Sequence, residues 1–110
     1  MSSSNTLDQL ADVIHQRRAE TADTSYTAQL LAAGVERCAK KFGEEAVEAV
    51  IAALGSDASA LKSEAADVLY HLLVLLEARG VALADVLAVL DARQGTSGLA
   101  EKAARTRGAP

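Results

Sequence analysis

Between Leu61 and Leu76 the chain sets apolar residues too densely for a helix with a single dry side. Leu61, Ala65, Val68, Leu69, Leu72, Leu73, Leu75 and Leu76 spread over a broad arc at helical pitch. A helix of that kind is buried on two sides. One polar stripe runs through it: Glu64, Asp67 and His71 follow at i, i+3 and i+7. A carboxylate in such a setting is costly unless it is exposed or has a partner. The segment therefore asks for helical neighbours and for something to meet its stripe.

The rest of the chain supplies the neighbours. The only proline is residue 110, so no interior position is barred from helix on that account. Alanine and leucine carry the apolar mass and aromatics are 3% of the chain, which suits helices better than strands. A first helix is expected over about 7–19, opened by a capping box from Thr6 to Gln9. Residues 20–25 read as a loop. Ser25, Tyr26 and Thr27 offer N-cap hydroxyls to a run over 28–33, Gly34 kinks or breaks it, and the pattern resumes at Val35. Gly55 fits a C′ position and Ser56 or Asp57 caps the next helix. Gly80 stops that helix, and another runs over about 83–92. Gly95 to Gly98 breaks the chain again, and Ser97 caps a short last helix over about 99–105. The expectation is one all-α domain over 1–110, an antiparallel bundle of four to five helices, with a disordered leader at 1–6 and a basic tail at 95–110. The over-apolar segment predicts that a second copy completes the bundle, so a homodimer or higher homo-oligomer is expected.

Charge and cysteine usage narrow the function. The net charge is −4, yet Arg93, Lys102, Arg105 and Arg107 make the end basic against a single Glu101. Such a tail reaches a phosphate or a partner subunit, or is simply a solvated terminus. Cys38 stands alone, which excludes an intrachain disulfide and a cysteine metal cage. No basic leader precedes an apolar run and no stretch is long enough to span a bilayer, so a cytoplasmic protein without membrane contact is expected. Basic patches interleaved with aromatics are missing, which argues against nucleic acid as a partner.

A second acidic cluster answers the stripe. Lys41-Phe42-Gly43-Glu44-Glu45-Ala46-Val47-Glu48 is an EExxE pattern, and Glu64 to Asp67 is ExxD. On a helical wheel Lys41, Glu44, Glu45 and Glu48 share an arc of about 100°. Phe42, Val35, Ala46, Ala39 and Val50 lie on an apolar face away from it. Two antiparallel helices can bring Glu45, Glu48, Glu64 and Asp67 together as an all-oxygen site suited to Mg²⁺. Such a metal neutralises charge on a phosphate anhydride and orients a water. Glu44 is placed to hold or deprotonate that water, and Lys41 to meet a phosphate oxygen. The bland reading is a solvated helix face with ordinary i, i+4 ion pairs, Lys40–Glu44 and Lys41–Glu45. A di-iron carboxylate site fits poorly, because it needs Glu-x-x-His and His71 comes one step late. His71 is a hydrogen-bonded helix residue or, by its stripe, a substrate contact. His15 reads as surface, Cys38 as a small buried group, and Tyr26 and Tyr70 as packing residues with one hydrogen bond each.

These residues carry a resemblance. Ser25-Tyr26-Thr27, Leu30, Gly34, Lys41-x-Gly43-Glu44-Glu45, Glu64 through Leu73, Ser97-Gly98-Leu99 and Glu101-Lys102 together resemble the phosphoribosyl-ATP pyrophosphohydrolase family, within the all-α (MazG-like) nucleoside-triphosphate pyrophosphohydrolases. The likeness covers roughly residues 7–105. Ala82 departs from it, since a serine or similar cap is common there, and this weakens a helix start without touching the chemistry. The resemblance implies Mg²⁺-dependent cleavage of the α–β anhydride of 1-(5-phosphoribosyl)-ATP to 1-(5-phosphoribosyl)-AMP and pyrophosphate, the second step of histidine biosynthesis. It implies Glu45, Glu48, Glu64 and Asp67 as metal ligands, Glu44 for water activation, and Lys41, Arg17, His71 and Lys102 as substrate contacts. It also implies a dimer, and at this length an enzyme free of the cyclohydrolase domain to which some relatives are fused.

Two rivals stay open at this point. A house-cleaning pyrophosphohydrolase of the same superfamily, acting on ordinary or damaged nucleotides, would share the metal site. A non-catalytic helical interaction module would leave the carboxylates as a solvated face.

Overall fold

The computed structural model describes residues 5–94 together with Arg105. Five α-helices follow one another within 5–94: α1 Thr6–Arg17, α2 Tyr26–Ala33, α3 Val35–Leu54, α4 Ala58–Arg79 and α5 Leu83–Arg93. No strand occurs among the described residues. Of the last helix expected over 99–105 only Arg105 is described, in helical conformation; its Ser97 cap and residues 1–4 of the leader lie outside the described residues.

Local chemistry fixes most boundaries. Asn5, not Thr6, opens α1: its side chain accepts from the Asp8 amide at 2.9 Å and the Asp8 carboxylate accepts from the Asn5 amide at 3.4 Å. Asparagine is as good an N-cap as threonine or better, so the capping box starts one residue early and pairs with Asp8 rather than Gln9. The helix ends at Arg17, two residues short of the expected end. Ser25 Oγ accepts from the Ala28 amide at 3.1 Å and starts α2. Gly34, at φ +99°, separates α2 from α3 in a conformation that L side chains rarely adopt. Asp57 caps α4 through the amides of Ser59 and Ala60. At the other end Gly80 is left-handed, and the Val81 amide reaches back to the Leu76 carbonyl at 2.9 Å, a Schellman closure. Gly55 ends α3 in extended rather than left-handed backbone. Ala82 gives α5 no side-chain cap, as expected of an alanine there.

The long helices α3 and α4 form the main hairpin, and α1 and α2 lean against it. The core is small. Ile14, Leu30, Cys38, Leu73 and Val74 are its buried members, with Leu7, Leu10, Tyr70, Leu76 and Leu83 packed around them. Full burial of Ile14 or Val74 is worth about 1.5–3 kcal/mol each. Cys38 does more than fill space. Its thiol donates to the Leu30 carbonyl at 3.3 Å, one of the acceptors freed at the end of α2, and so pins α3 to α2. Burial pushes that thiol above its usual pKa.

Two features depart from the sequence reading. The apolar face of α3 turns inward only in part: Phe42 and Ala46 are half-buried and Val35, Ala39 and Val50 exposed, whereas Cys38 and Glu45 are buried. The acidic arc instead meets the acidic stripe of α4, against the repulsion of like charges. A second apolar row of α3, Val47, Val50, Ile51 and Leu54, is left bare, Leu54 at 84% exposure. On α4, Leu61 and Leu69 are also exposed. The radius of gyration is 16.3 Å, against about 13 Å for a compact domain of a hundred residues. His15 is the second departure. It is exposed but has company: its Nδ1 lies 3.1 Å from Glu77, and Arg18 donates to the same carboxylate and to the Glu77 carbonyl at 2.6 Å each. Burial raises the Glu77 pKa, but the hydrogen bonds from Arg18 and His15 outweigh it and hold the carboxyl below its usual value. This cluster ties the end of α1 to the end of α4.

Candidate active site

The α3–α4 hairpin brings the two acidic motifs face to face. One carboxylate oxygen each from Glu45, Glu48 and Glu64 come within 4.8 Å of one another. Glu45 is buried, Glu64 half-buried and Glu48 exposed, so the trio runs from the interior to the rim. Asp67 is exposed and outside this group of three, although it is close enough to act on Glu64. Partial burial, then the charges of Glu48, Asp67 and Glu45, raise the Glu64 pKa. Three carboxylates this close repel one another. Their oxygens are the hard donors that Mg²⁺ prefers, so the residues present fit that ion. The group contains no histidine.

Lys41 stands at the edge of the trio. Its ammonium is 3.4 Å from Glu45 and 3.8 Å from Glu44. The phenol of Tyr26, and then the hydrogen bond to Glu45, hold the ammonium above its usual pKa. The i, i+4 pair expected between Lys40 and Glu44 is not made, because Glu44 turns to Lys41 instead. A pair between Lys41 and Glu45 is made as expected.

His71 lies one turn beyond Asp67 on the α4 stripe and is buried. Its ring meets Tyr70 edge-on at 4.9 Å and Tyr26 at 6.3 Å. Burial lowers its pKa and the Lys41 charge adds to that, against the pull of Glu45 and Asp67. The ring is thereby favoured in its neutral form beside the carboxylates. Tyr70 hydrogen-bonds Thr27 on α2, as a packing tyrosine should. Burial raises the Tyr70 phenol, opposed by the Thr27 bond and by the charge of Arg17. Tyr26 is half exposed and packs on one side only, against His71.

The remaining candidates are spread out. Arg17 is paired with Glu20 at 2.8 Å on the surface, and its charge acts on Tyr70. Lys102 lies outside the described residues. Glu44 is exposed and borders a cleft of about 340 Å³ between α2 and α3. Tyr26 and Gln29 of α2, and Arg37, Lys40, Lys41 and Glu44 of α3, line it. Gln29 and Arg37 escaped the sequence reading, and Lys40 entered it only as the expected ion-pair partner of Glu44. Their signal was the i, i+3, i+4, i+7 spacing of Arg37, Lys40, Lys41 and Glu44, which puts all four on one side of α3.

Comparison with known proteins identifies the family. The family model described as Phosphoribosyl-ATP pyrophosphohydrolase matches residues 7–94, which hold both acidic motifs. A Cereibacter sphaeroides protein named phosphoribosyl-ATP pyrophosphatase is 62% identical over 99 residues, covering 90% of this chain and 96% of that protein. Proteins of the same name from Ruegeria sp. and Rhizorhabdus wittichii are 60% and 59% identical, covering 93% and 94% of this chain and 97% of each relative. With matches of this extent, the chain belongs to the phosphoribosyl-ATP pyrophosphohydrolase family.

Proposed function

We propose that this chain hydrolyses the α–β phosphoanhydride of 1-(5-phosphoribosyl)-ATP, releasing 1-(5-phosphoribosyl)-AMP and pyrophosphate, as a Mg²⁺-dependent step of histidine biosynthesis. The observation that carries this reading is the convergence of Glu45, Glu48 and Glu64 beside Lys41 in a member of that family.

Glu45, Glu48 and Glu64, with Asp67 one turn after Glu64, hold Mg²⁺. Bound there, the ion neutralises anhydride charge and brings ordered water with it. The chain's own groups do the rest. A water oxygen bonds to one phosphorus of the anhydride, the bridging P–O bond breaks, and its electron pair leaves on the bridging oxygen with the half that the water did not attack. Glu44 takes the water proton, being the exposed carboxylate next to the trio. Lys41 moves its charge from the carboxylates to a phosphate oxygen as substrate arrives. His71 contacts substrate as a neutral ring, and Arg17 and Lys102 approach its far end.

The working unit is a homodimer. The bare row Val47, Val50, Ile51 and Leu54 on α3, with Leu61 and Leu69 on α4, is the apolar surface a second copy covers. No helix among the described residues is long and apolar enough to cross a membrane, and the reading assigns the enzyme to the cytoplasm.

Pyrophosphate release tests the substrate. With Mg²⁺, phosphoribosyl-ATP should turn over far faster than a panel of ordinary and damaged nucleoside triphosphates. Equal or better turnover of the panel would make the chain a general nucleotide pyrophosphohydrolase instead.

A further inference from the structure

We propose that the cleft between α2 and α3 seats the terminal two phosphates, which depart as pyrophosphate, and that Arg37 and Lys40 are their binding residues. The inference rests on the hydrolysis proposed above and names the residues that serve one end of its substrate.

Charge is the first reason. The chain is acidic overall, yet this cleft places three cations, Arg37, Lys40 and Lys41, against one carboxylate, Glu44. Both faces are built by helical spacing. Tyr26 and Gln29 project from α2 at i and i+3. Arg37, Lys40, Lys41 and Glu44 project from α3 at i, i+3, i+4 and i+7. Arg37 and Lys40 have no ion-pair partner within 4.0 Å among the described residues, since Glu44 is taken by Lys41. Two cations held side by side without an anion repel each other and favour one between them. Gln29 adds an amide donor, and Arg37 offers the planar fork that matches two phosphate oxygens at once.

Position is the second reason. Lys41 belongs to both places: it lines the cleft and lies 3.4 Å from the Glu45 carboxylate. The cleft is thus continuous with the carboxylate trio. Its occupant must be a phosphate group that holds the reacting phosphorus or is joined to it through the bridging oxygen. The terminal two phosphates meet that condition whichever phosphorus the water attacks. The 5-phosphate of the phosphoribosyl end does not, because a ribose and a base stand between. Cleavage adds negative charge to the terminal two phosphates, as leaving group when the α-phosphorus is attacked and as the hydrolysed half when the β-phosphorus is, and Arg37 and Lys40 are there to receive it.

Arg37→Gln, Lys40→Gln and the double variant test this, with titration calorimetry against inorganic pyrophosphate in Mg²⁺, ribose 5-phosphate, and Mg²⁺ alone. Both positions are exposed on a helix and glutamine is a good helix former, so helicity should be unchanged. The single variants serve if the double variant loses it. Pyrophosphate binding should weaken about tenfold for each single variant and about a hundredfold for the double, with kcat/KM for phosphoribosyl-ATP falling in parallel. Mg²⁺ and ribose 5-phosphate binding should hold, and Arg37→Lys should recover part of the loss. Pyrophosphate affinity within about twofold of wild type in the double variant, or a greater loss for ribose 5-phosphate than for pyrophosphate, overturns the proposal. A wild-type chain that binds pyrophosphate through Arg37 and Lys40 but releases none from phosphoribosyl-ATP overturns the hydrolysis and keeps the site. Normal hydrolysis with pyrophosphate binding indifferent to both residues overturns the site alone.

Discussion

Lys41 Nζ stands 3.4 Å from Oε2 of Glu45, the buried member of the acidic trio. The lysine is the counter-charge of that carboxylate while no cation is bound. A buried carboxylate left without a partner is expensive. Lys41→Gln should therefore lower the melting temperature of the metal-free protein, and Mg²⁺ should restore it. Turnover should fall about a hundredfold, because the phosphate contact is lost too. Thermal melts with and without Mg²⁺, beside an activity assay, check both parts.

Glu64 makes the opposite prediction. Its pKa is raised by partial burial and by its acidic neighbours, so its ionised form is a burden on the metal-free fold. Relative to the unfolded chain, that burden is present at neutral pH and is relieved as the pH falls and the proton binds. Glu64→Gln should raise the metal-free melting temperature at neutral pH while abolishing its rise with Mg²⁺. The gain should shrink in acid. A variant that is less stable than wild type without metal would show that the trio does not repel.

The Glu77 cluster sets a different pH dependence. Its carboxyl titrates below the ordinary 4.5 in the folded chain. Its contribution is thus complete above that value and is lost as the pH falls through the folded one. Glu77→Gln should cost about 1 kcal/mol near neutrality, since its partners Arg18 and His15 are largely exposed. The deficit should shrink in acid and in high salt. Urea unfolding at several pH values measures it.

Gly43 lies inside α3, and a Cβ built on it meets nothing within 4 Å. No neighbouring helix among the described residues comes close enough there to require a glycine. Gly43→Ala should then stabilise the isolated chain by about 1 kcal/mol. A loss of activity or of dimer in that variant would mean that substrate or a second subunit comes close at this point.

Ile51 is 63% exposed beside Leu54 on the outer side of α3. If a second copy covers that row, Ile51→Glu puts an unpaired charge into an apolar interface. Sedimentation should show a dimer for wild type and a monomer for the variant. Two dimers would place the interface elsewhere.

Much of the fold was legible in single residues. Ser25, Asp57, Gly34 and Gly80 mark helix ends by local chemistry that needs no tertiary partner. The Asn5 capping box was misplaced by one residue because Thr6 offers the same chemistry. The pairing of the two acidic motifs was legible too, since like charges at helical spacing point to a common face. Which side of α3 turns inward was not. The wheel holds an acidic arc and an apolar one, and nothing within α3 alone decides which of them meets α4. The same holds for Lys41, which gathers Glu44 as well as Glu45, and for His15, whose partner Glu77 is 62 residues away.

The most direct measurement is pyrophosphate release from phosphoribosyl-ATP by wild type and by Glu48→Gln, each titrated with Mg²⁺ after chelation. Glu48 is the exposed member of the trio, so this change leaves the core intact. The account predicts that wild-type turnover is absent under chelation, returns with Mg²⁺, and is at least about a hundredfold lower in the variant at any Mg²⁺ concentration. Undiminished turnover by Glu48→Gln, or by wild type with the metal removed, would contradict it.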